Sequence, residues 1–509
     1  MRRERVLTAA ATGLLWAGVM LARLFTGSAI GLAEQGDGKR LLCTLGVANR
    51  RPWDANMWRF VYPTWDPHTW YGETCGADGS GETYHSTQVW LLWLAKQLTG
   101  PLGLPGALDL RALGVVCAVG VGLVCAVFTL VLPGRWWVRV PLASGIGLIY
   151  ADSAFAGFFV SPFSEPAALL GLGLLLAALL HLLRRRRATF GSLLMVVACA
   201  LFVIGAKIQL VSFVVPVCLA MLLPPHRGVT AARMWGPVRW ALRRTPAILA
   251  CVVLVGSTSY YLTQQPKRQT EVAIYDAIFG SLLHDNVSAA EDLRDLGLDP
   301  VLASAADTNI LSPNSIATTE HYQHFKETVT PVAIARFYLT HPAAALRLLG
   351  WGLEGVAHPG LDYLGSYPVG AGLSPGAKEH RIIVYTTLWG VYTAAPALLV
   401  FLWLGVFVLG WLTLRTGRPT WKERAAGRLA VLVPVMIWTQ FWMVALGEGR
   451  VEATRHMTYV TFLTAFCLPL TALCVLLLIR RARPRPDWRH ALTPEESLRL
   501  TGKDSYAEV

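Results

Sequence analysis

The chain has 509 residues, 54% of them hydrophobic and only 15% charged, with a mean hydropathy of +0.45. Soluble globular proteins carry about 25% charged residues, so these figures exclude a purely soluble chain. As a bare sum, the net charge of +13 suits a nucleic-acid partner, and its distribution along the chain has to decide.

Membrane spans need about 20 mostly apolar residues. Ten such stretches occur: 6–28, 112–132, 140–160, 164–183, 189–206, 210–225, 246–264, 384–410, 429–447 and 458–479. The sixth is short and holds Pro216. Residues 86–99 are too short to span, carry Lys96, and read as an interfacial helix. The N-terminal span shows no convincing small-residue cleavage site and runs on to Leu32, so it reads as an anchor rather than a cleaved signal. The fold expected is an all-α polytopic membrane protein with two large extracytoplasmic loops. Its parts are 1–32 (cytoplasmic N-terminus and span 1), 33–111 (first external loop) and 112–264 (spans 2–7). There follow 265–383 (second external segment), 384–479 (spans 8–10) and 480–509 (a disordered cytoplasmic tail, with TPEES resembling a helix start).

Basic clusters favour the cytoplasmic side. They occur at Arg2, Arg3 and Arg5, at Arg135 and Arg139, over 184–187, over 227–244, over 415–428, and from Arg480 onward. These positions are alternate span junctions, so ten spans place both termini and all six clusters on one face. On that topology the cytoplasmic segments sum to +19, the external ones, with the span ends that face them, to −7, and Arg23 inside span 1 supplies the remaining +1. The basic excess is therefore an orientation signal, and a nucleic-acid partner is excluded. In the second external segment, 281–300 is polar and acidic, 358–376 is a Gly/Pro-rich loop, and 328–356 has helical apolar spacing interrupted at Pro342. The 328–356 stretch suits a helix lying along the membrane surface.

Seven of the nine cysteines lie in spans, where a thiol serves as a small hydrophobe. Cys43 and Cys75 share the first external loop. A disulfide between them in an oxidising exterior and two unrelated thiols are both open.

Ionisable and other polar groups gather at the outer ends of the spans, where they usually face a cavity or a partner. They are Glu34 and Asp37 after span 1, Asp152 and Glu165 around spans 3 and 4, Lys207 and Gln209 between spans 5 and 6, and Glu448, Arg450, Glu452, Arg455 and His456 between spans 9 and 10. Taken singly, each has a bland reading. Asp37 flanked by glycines is also a turn residue, Lys207 could snorkel, and Asp152 and Glu165 could cap helices. Arg23, inside span 1, reads as snorkelling outward. Jointly they suggest a polar cavity open to the outside that takes an anionic, lipid-linked ligand. Sugar transfer from a lipid phosphate needs a carboxylate to take the acceptor proton and cations on the departing phosphate. Asp37 is placed for the first, with Glu34 in reserve. Lys207, Arg450, Arg455 and His456 suit the second, and Asp152, Glu165, Gln209, Glu448 and Glu452 would line the cavity. Trp53, Trp58, Trp65 and Trp70 of the first loop suit sugar stacking, and equally an interfacial aromatic belt.

The layout resembles the GT-C superfamily of membrane glycosyltransferases: one span, then a long external loop with an acidic motif near its start. EQGDGKRLLCTLGV (34–47), SPFSEPAALLGL (161–172), AKIQ (206–209), EVAIYDAIFGSLL (271–283), DLRDLGLDP (292–300), RFYLTHP (336–342) and the 448–456 run are similar to those of bacterial surface-glycan hexose transferases of this type. The resemblance implies an enzyme of the bacterial plasma membrane with an extracytoplasmic active site. It implies inverting transfer of a hexose from a polyprenyl-phosphate sugar to a glycan or lipid-linked acceptor, with Asp37 as base. Members often carry two adjacent acids in this loop, whereas Gln35 and Gly36 separate Glu34 from Asp37. That departure favours a single base and leaves a divalent metal open; no other cofactor is implied. A transporter or flippase of a lipid-linked or small anionic substrate is the competing reading. It would place ionisable groups near the bilayer midplane, where these spans hold almost none.

Overall fold

A chain in hydrocarbon must satisfy its backbone polar groups within itself, and a helix does so. The computed structural model describes residues 2–49, 51, 52, 54–70, 75, 83–185, 188–223, 236–416 and 419–482, with the side chains of these other than Arg2, Asp37 and 236–243. Trp53, Arg186, Arg187, much of the 227–244 basic cluster and the tail beyond Ala482 with its TPEES sequence lie outside the described residues. In chain order the main helices are α1 (Arg2–Phe25), α2 (Gln88–Thr99), α3 (Leu110–Val131), α4 (Trp136–Ala151) and α5 (Glu165–Leu183). Next come α6 (Phe190–Ile204), α7 (Val214–Leu222), α8 (Gly236–Thr263), α9 (Lys267–Ala277), α10 (Pro331–Thr340) and α11 (Pro342–Ala357). The last four are α12 (Val384–Ala394), α13 (Leu398–Arg415), α14 (Trp421–Glu448) and α15 (Thr458–Ala482).

Among the described residues, seven helices are long and apolar enough to cross a membrane: α1, α3, α5, α8, α13, α14 and α15. The other expected spans fall on shorter elements. The 189–206 stretch is the 15-residue α6, about 22 Å long at 1.5 Å per residue. The 210–225 stretch is a 3₁₀ turn (Ile208–Phe213) leading into α7, and 140–160 is α4 followed by a second 3₁₀ turn (Ala156–Val160). The single span expected over 384–410 is two helices, because Pro396 lacks an amide hydrogen and disfavours helical backbone in the residue before it; α12 ends at Ala394. Pro342 divides 328–356 into α10 and α11 in the same way.

Among the described residues, five short strands interrupt the helical fold, at the end of the 1–32 part and in the segments 33–111 and 265–383. β2 (Val47–Asn49), β3 (Thr64–Pro67) and β4 (Leu108–Asp109) form an antiparallel sheet in the first loop. β1 (Gly31–Leu32) pairs antiparallel with β5 (Leu364–Ser366), which ties the chain just beyond α1 to the segment between α11 and α12. Cys43 and Cys75 are disulfide-bonded, with Cα atoms 5.5 Å apart.

Small residues let membrane helices approach closely. Helices α1 and α3 cross glycine to glycine: a Cβ on Gly13 would lie 2.9 Å from the Gly122 carbonyl oxygen. Helices α13 and α14 do the same through Gly410 and Gly427, where the matching distances are 2.8 and 2.9 Å.

Arg23 does not snorkel. It is 4% exposed and turned inward, where its guanidinium pairs with Glu379, donates from Nε to the Ala151 carbonyl at 2.9 Å, and meets Ser153 Oγ at 3.2 Å. The physical reason is Glu379, an equally buried carboxylate that needs a partner at this depth. Burial pushes the Glu379 carboxyl up, but Arg23, Arg381 and Ser153 together outweigh it and hold it below the ordinary carboxylate value. Asp152, expected on the cavity wall, is also fully buried. Its carboxylate accepts from the Tyr385 amide at 2.7 Å and from the Thr386 amide and hydroxyl, so it caps the start of α12 across the fold.

Removing one partner of a buried ion pair leaves an uncompensated charge, at a cost of about 3–5 kcal/mol. Glu379→Leu is expected to lower thermal stability in detergent by that order. Adding Arg23→Met is expected to recover most of the loss; a double variant no more stable than the single one would refute the pairing.

Candidate functional site

The site forms where the outer ends of α5 and α14, the turn after α6 and the loop before α15 meet. Glu165 opens α5 and is fully buried. Its Oε1 accepts from Lys207 Nζ at 3.1 Å and lies 3.9 Å from Arg455 Nε. Arg455 also donates from Nη1 to Glu452 Oε2 at 3.0 Å, and its guanidinium covers the Phe163 ring at 4.3 Å. Lys207 and Arg455 are each 8% exposed, so Lys207 is held inward by Glu165. A carboxylate lying between two cations offsets the desolvation of all three.

His456 is joined to Gln209 on both sides. Gln209 Nε2 donates to the His456 carbonyl at 3.2 Å, and His456 Nδ1 lies 3.4 Å from Gln209 Oε1. Its Nε2 stands 3.8 Å from Glu448 and 3.9 Å from Glu452. Burial, then Lys207 and Arg455, depress the His456 pKa well below the ordinary imidazole value. Expected as a phosphate-binding cation, His456 is instead a neutral hydrogen-bonding group at pH 7, because two nearby cations and the loss of water both oppose its protonation.

A small cavity of about 40 Å³ beside Glu165 is lined by Arg40, Tyr84, Ser164, Lys207, Gln269 and Arg455, among others. Arg40 comes from the first loop. Its helical turn (Lys39–Leu42) follows the 3₁₀ turn Gly36–Gly38, which packs against Pro162 so closely that a Cβ on Gly38 would collide with that ring. The acidic-motif backbone is thus carried to the cation cluster. The Asp37 side chain lies outside the described residues. Glu34 accepts from the Gly36 amide at 2.6 Å and sits near Arg51, whose guanidinium covers Trp58 at 4.6 Å. Glu34 therefore shapes the loop.

Two larger cavities flank the 448–456 turn. On one side an apolar groove of about 550 Å³ runs between α14, the Ile208–Val215 segment, α9 and α10. Trp442, Met443, Leu446, Ile274 and Ile334 are among its walls, and Gln209, Gln269 and Glu448 are among its polar members. On the other side a polar cleft of about 440 Å³ lies between α11 and the turn, with Arg450, Glu452 and Arg455 along its wall. The turn can sit there because Gly449 adopts φ +63°, and a Cβ at this position would collide with Ser281. Ser281 Oγ accepts from the Arg450 amide at 2.7 Å.

Several members were not singled out from sequence. Tyr84 is buried against Glu165, and burial raises its phenol well above the ordinary value, so it stays a neutral donor. Asp276 on α9 is 9% exposed, and its Oδ1 has no hydrogen-bond partner among the described residues. Burial first, then Glu452, pushes its pKa up to about 6. Asp276 lies within the 271–283 motif, so a signal existed; nothing local marks Tyr84, Gln269 or Arg40 as neighbours of Lys207. Among the described residues no three His, Cys, Asp or Glu side chains converge as metal ligands.

The comparison with known families now decides the relationship. The chain belongs to the YfdI N-terminal transmembrane domain family. The match runs over residues 2–487, taking in all the helices above and the whole site just described. Membership agrees with the run of long apolar helices and makes the protein a multi-pass membrane protein. No curated protein and no solved structure matches the chain.

The Asp276 shift has a sign that can be tested. The folded state holds this proton up to about pH 6, whereas an unfolded Asp releases it near 4. Its contribution is therefore favourable below pH 4 and lost as pH rises through 6, a difference of roughly 3 kcal/mol. Asp276→Asn is expected to be more stable than wild type at pH 7.5, with the gap closing by pH 4 in thermal unfolding scans. A gap that does not change with pH would refute the assignment.

Proposed function

We propose that the protein is an integral membrane glycosyltransferase of GT-C type. In this reading it transfers a hexose, with inversion, from a polyprenyl-phosphate sugar to an extracytoplasmic glycan or lipid-linked acceptor at the bacterial plasma membrane, with both termini cytoplasmic. The observation that carries it is the cation cluster of Lys207, Arg455 and Arg40 beside an apolar groove of about 550 Å³. A lipid phosphate asks for that combination, an apolar trough for the chain and buried cations where it ends.

The prenyl chain lies along Trp442, Met443, Leu446, Ile274 and Ile334. Lys207 and Arg455, held in place by Glu165, meet the phosphate oxygens, and neutral His456 and Tyr84 supply hydrogen bonds beside them. The acceptor hydroxyl attacks the anomeric carbon from the face opposite the phosphate. As the new C–O bond forms, the C–O bond to phosphate breaks and polyprenyl phosphate departs with the bonding pair. Asp37, in the loop seated on Pro162, takes the hydroxyl proton.

Asp37→Asn is expected to reduce transfer at least 100-fold in a reconstituted assay with a polyprenyl-phosphate hexose, while donor binding is kept. Unchanged transfer would remove Asp37 from the mechanism. Lys207→Ala is expected to weaken apparent donor affinity about tenfold or more, consistent with the loss of a charge-assisted hydrogen bond. Unaltered donor affinity would separate Lys207 from the phosphate.

A further inference from the structure

The polar cleft behind the turn is distinct from the lipid groove, and its composition differs. Its walls combine half-buried Trp351 of α11, the carboxylates of Glu354, Asp362 and Glu452, and the cations Arg450 and Arg455. Both Arg455 and the turn are shared with the cation cluster, so anything bound here lies next to the proposed phosphate site.

The cleft wall is held from behind. The His284 ring lies 6.0 Å from that of Trp351, and it is fixed between Asp285, 3.0 Å from Nε2, and Asp307, which hydrogen-bonds Nδ1. Asp307 also takes Arg450 Nη1 at 3.5 Å. Among the described residues three non-glycine residues have left-handed backbone: Asp285 (φ 46°), Asp307 (φ 60°) and Glu452 (φ 45°). Two flank His284 and the third lies in the cleft wall. Such conformations persist only where the surroundings over-determine them, and they concentrate at ligand sites.

We propose that this cleft is the acceptor subsite and that it takes an uncharged oligosaccharide, with Trp351 as the platform for a sugar ring. The C–H face of a pyranose packs on an indole by dispersion, and its hydroxyls donate to carboxylates at the rim. Glu354, Asp362 and Glu452 line the cleft with Arg450 and Arg455; Glu165 and Glu452 already pair with Arg455, Asp307 with Arg450 and Lys378 with Asp362, and the exposed Glu354 adds a further carboxylate. A phosphate or uronate here lies among those carboxylates without Lys207, the second cation of the phosphate site, whereas neutral hydroxyls find acceptors. The word acceptor rests on the glycosyl-transfer reading; the sugar site stands without it.

The test uses the full chain in detergent and saturation-transfer difference NMR. The probes are neutral hexose oligosaccharides and uronate-containing counterparts of equal length. Wild type is expected to give signals with the neutral set only. Trp351→Phe is expected to keep them, and Trp351→Ala to lose them at least fivefold. Glu354→Gln, on the exposed wall, is expected to weaken them several-fold without a change in thermal unfolding. The proposal is overturned if wild type binds no neutral probe, if uronates bind as well as neutral sugars, or if Trp351→Ala and Glu354→Gln bind like wild type. If binding follows Trp351 while no polyprenyl-phosphate hexose supports transfer, the glycosyl-transfer reading fails and the sugar subsite remains.

Discussion

Glu165 is a carboxylate with no contact with water, and it is stable there only because Lys207 and Arg455 bring opposite charge to it. Moving one such group out of water costs several kcal/mol, and the attraction repays this only with close partners. The three residues come from the start of α5, the turn after α6 and the loop between α14 and α15, so the cluster forms only when those helices are packed in register. Members of this cluster line the small cation cavity and the polar cleft, and the groove adjoins the cation cavity at Gln269. Without Glu165 the two cations would be left buried beside each other, and the 448–456 turn would lose its anchor to α5.

The surrounding fold keeps that register. Glycine-to-glycine crossings bring α1 onto α3 and α13 onto α14, where backbones approach too closely for any side chain. At the outer end, Arg23 and Glu379 tie α1 to the second external segment, and Asp152 caps α12 from the far side of the fold. Two interactions that look like functional polar groups in a sequence thus serve assembly. This leaves the 448–456 turn as the divider between two unlike cavities. Lipid and sugar, in the proposed reaction, approach that turn from opposite sides and meet at Arg455, which borders both the cation cavity and the cleft.

Much of this was legible. Apolar runs announced the spans, since hydropathy and length follow directly from composition. The concentration of ionisable residues at span ends pointed to Glu165, Lys207, Gln209, Glu448, Glu452, Arg455 and His456, which do converge. Other readings went astray because charge state and partner are not local properties. Arg23 turns inward for a carboxylate more than 350 positions away, and His456 is kept neutral by burial first and then by Lys207, from a distant turn, and its neighbour Arg455. The expected span 384–410 divides at Pro396, where the loss of one amide donor outweighs the apolar run. Asp276 was marked only by the 271–283 motif around it, and Trp351 carries no signal that sets it apart from ordinary helix residues.

By itself, then, the amino-acid order determined that the chain enters the membrane many times, which junctions are basic, and which polar residues cannot rest in hydrocarbon. Burial cost and charge bias act on each segment independently, so a single sequence carries them. Only the tertiary structure decided which cation meets which carboxylate, which acids cap helices, and that the external turns enclose one apolar and one polar cavity. Those outcomes depend on distances of 3 to 4 Å between side chains from different spans, and such distances exist only once the helices have packed.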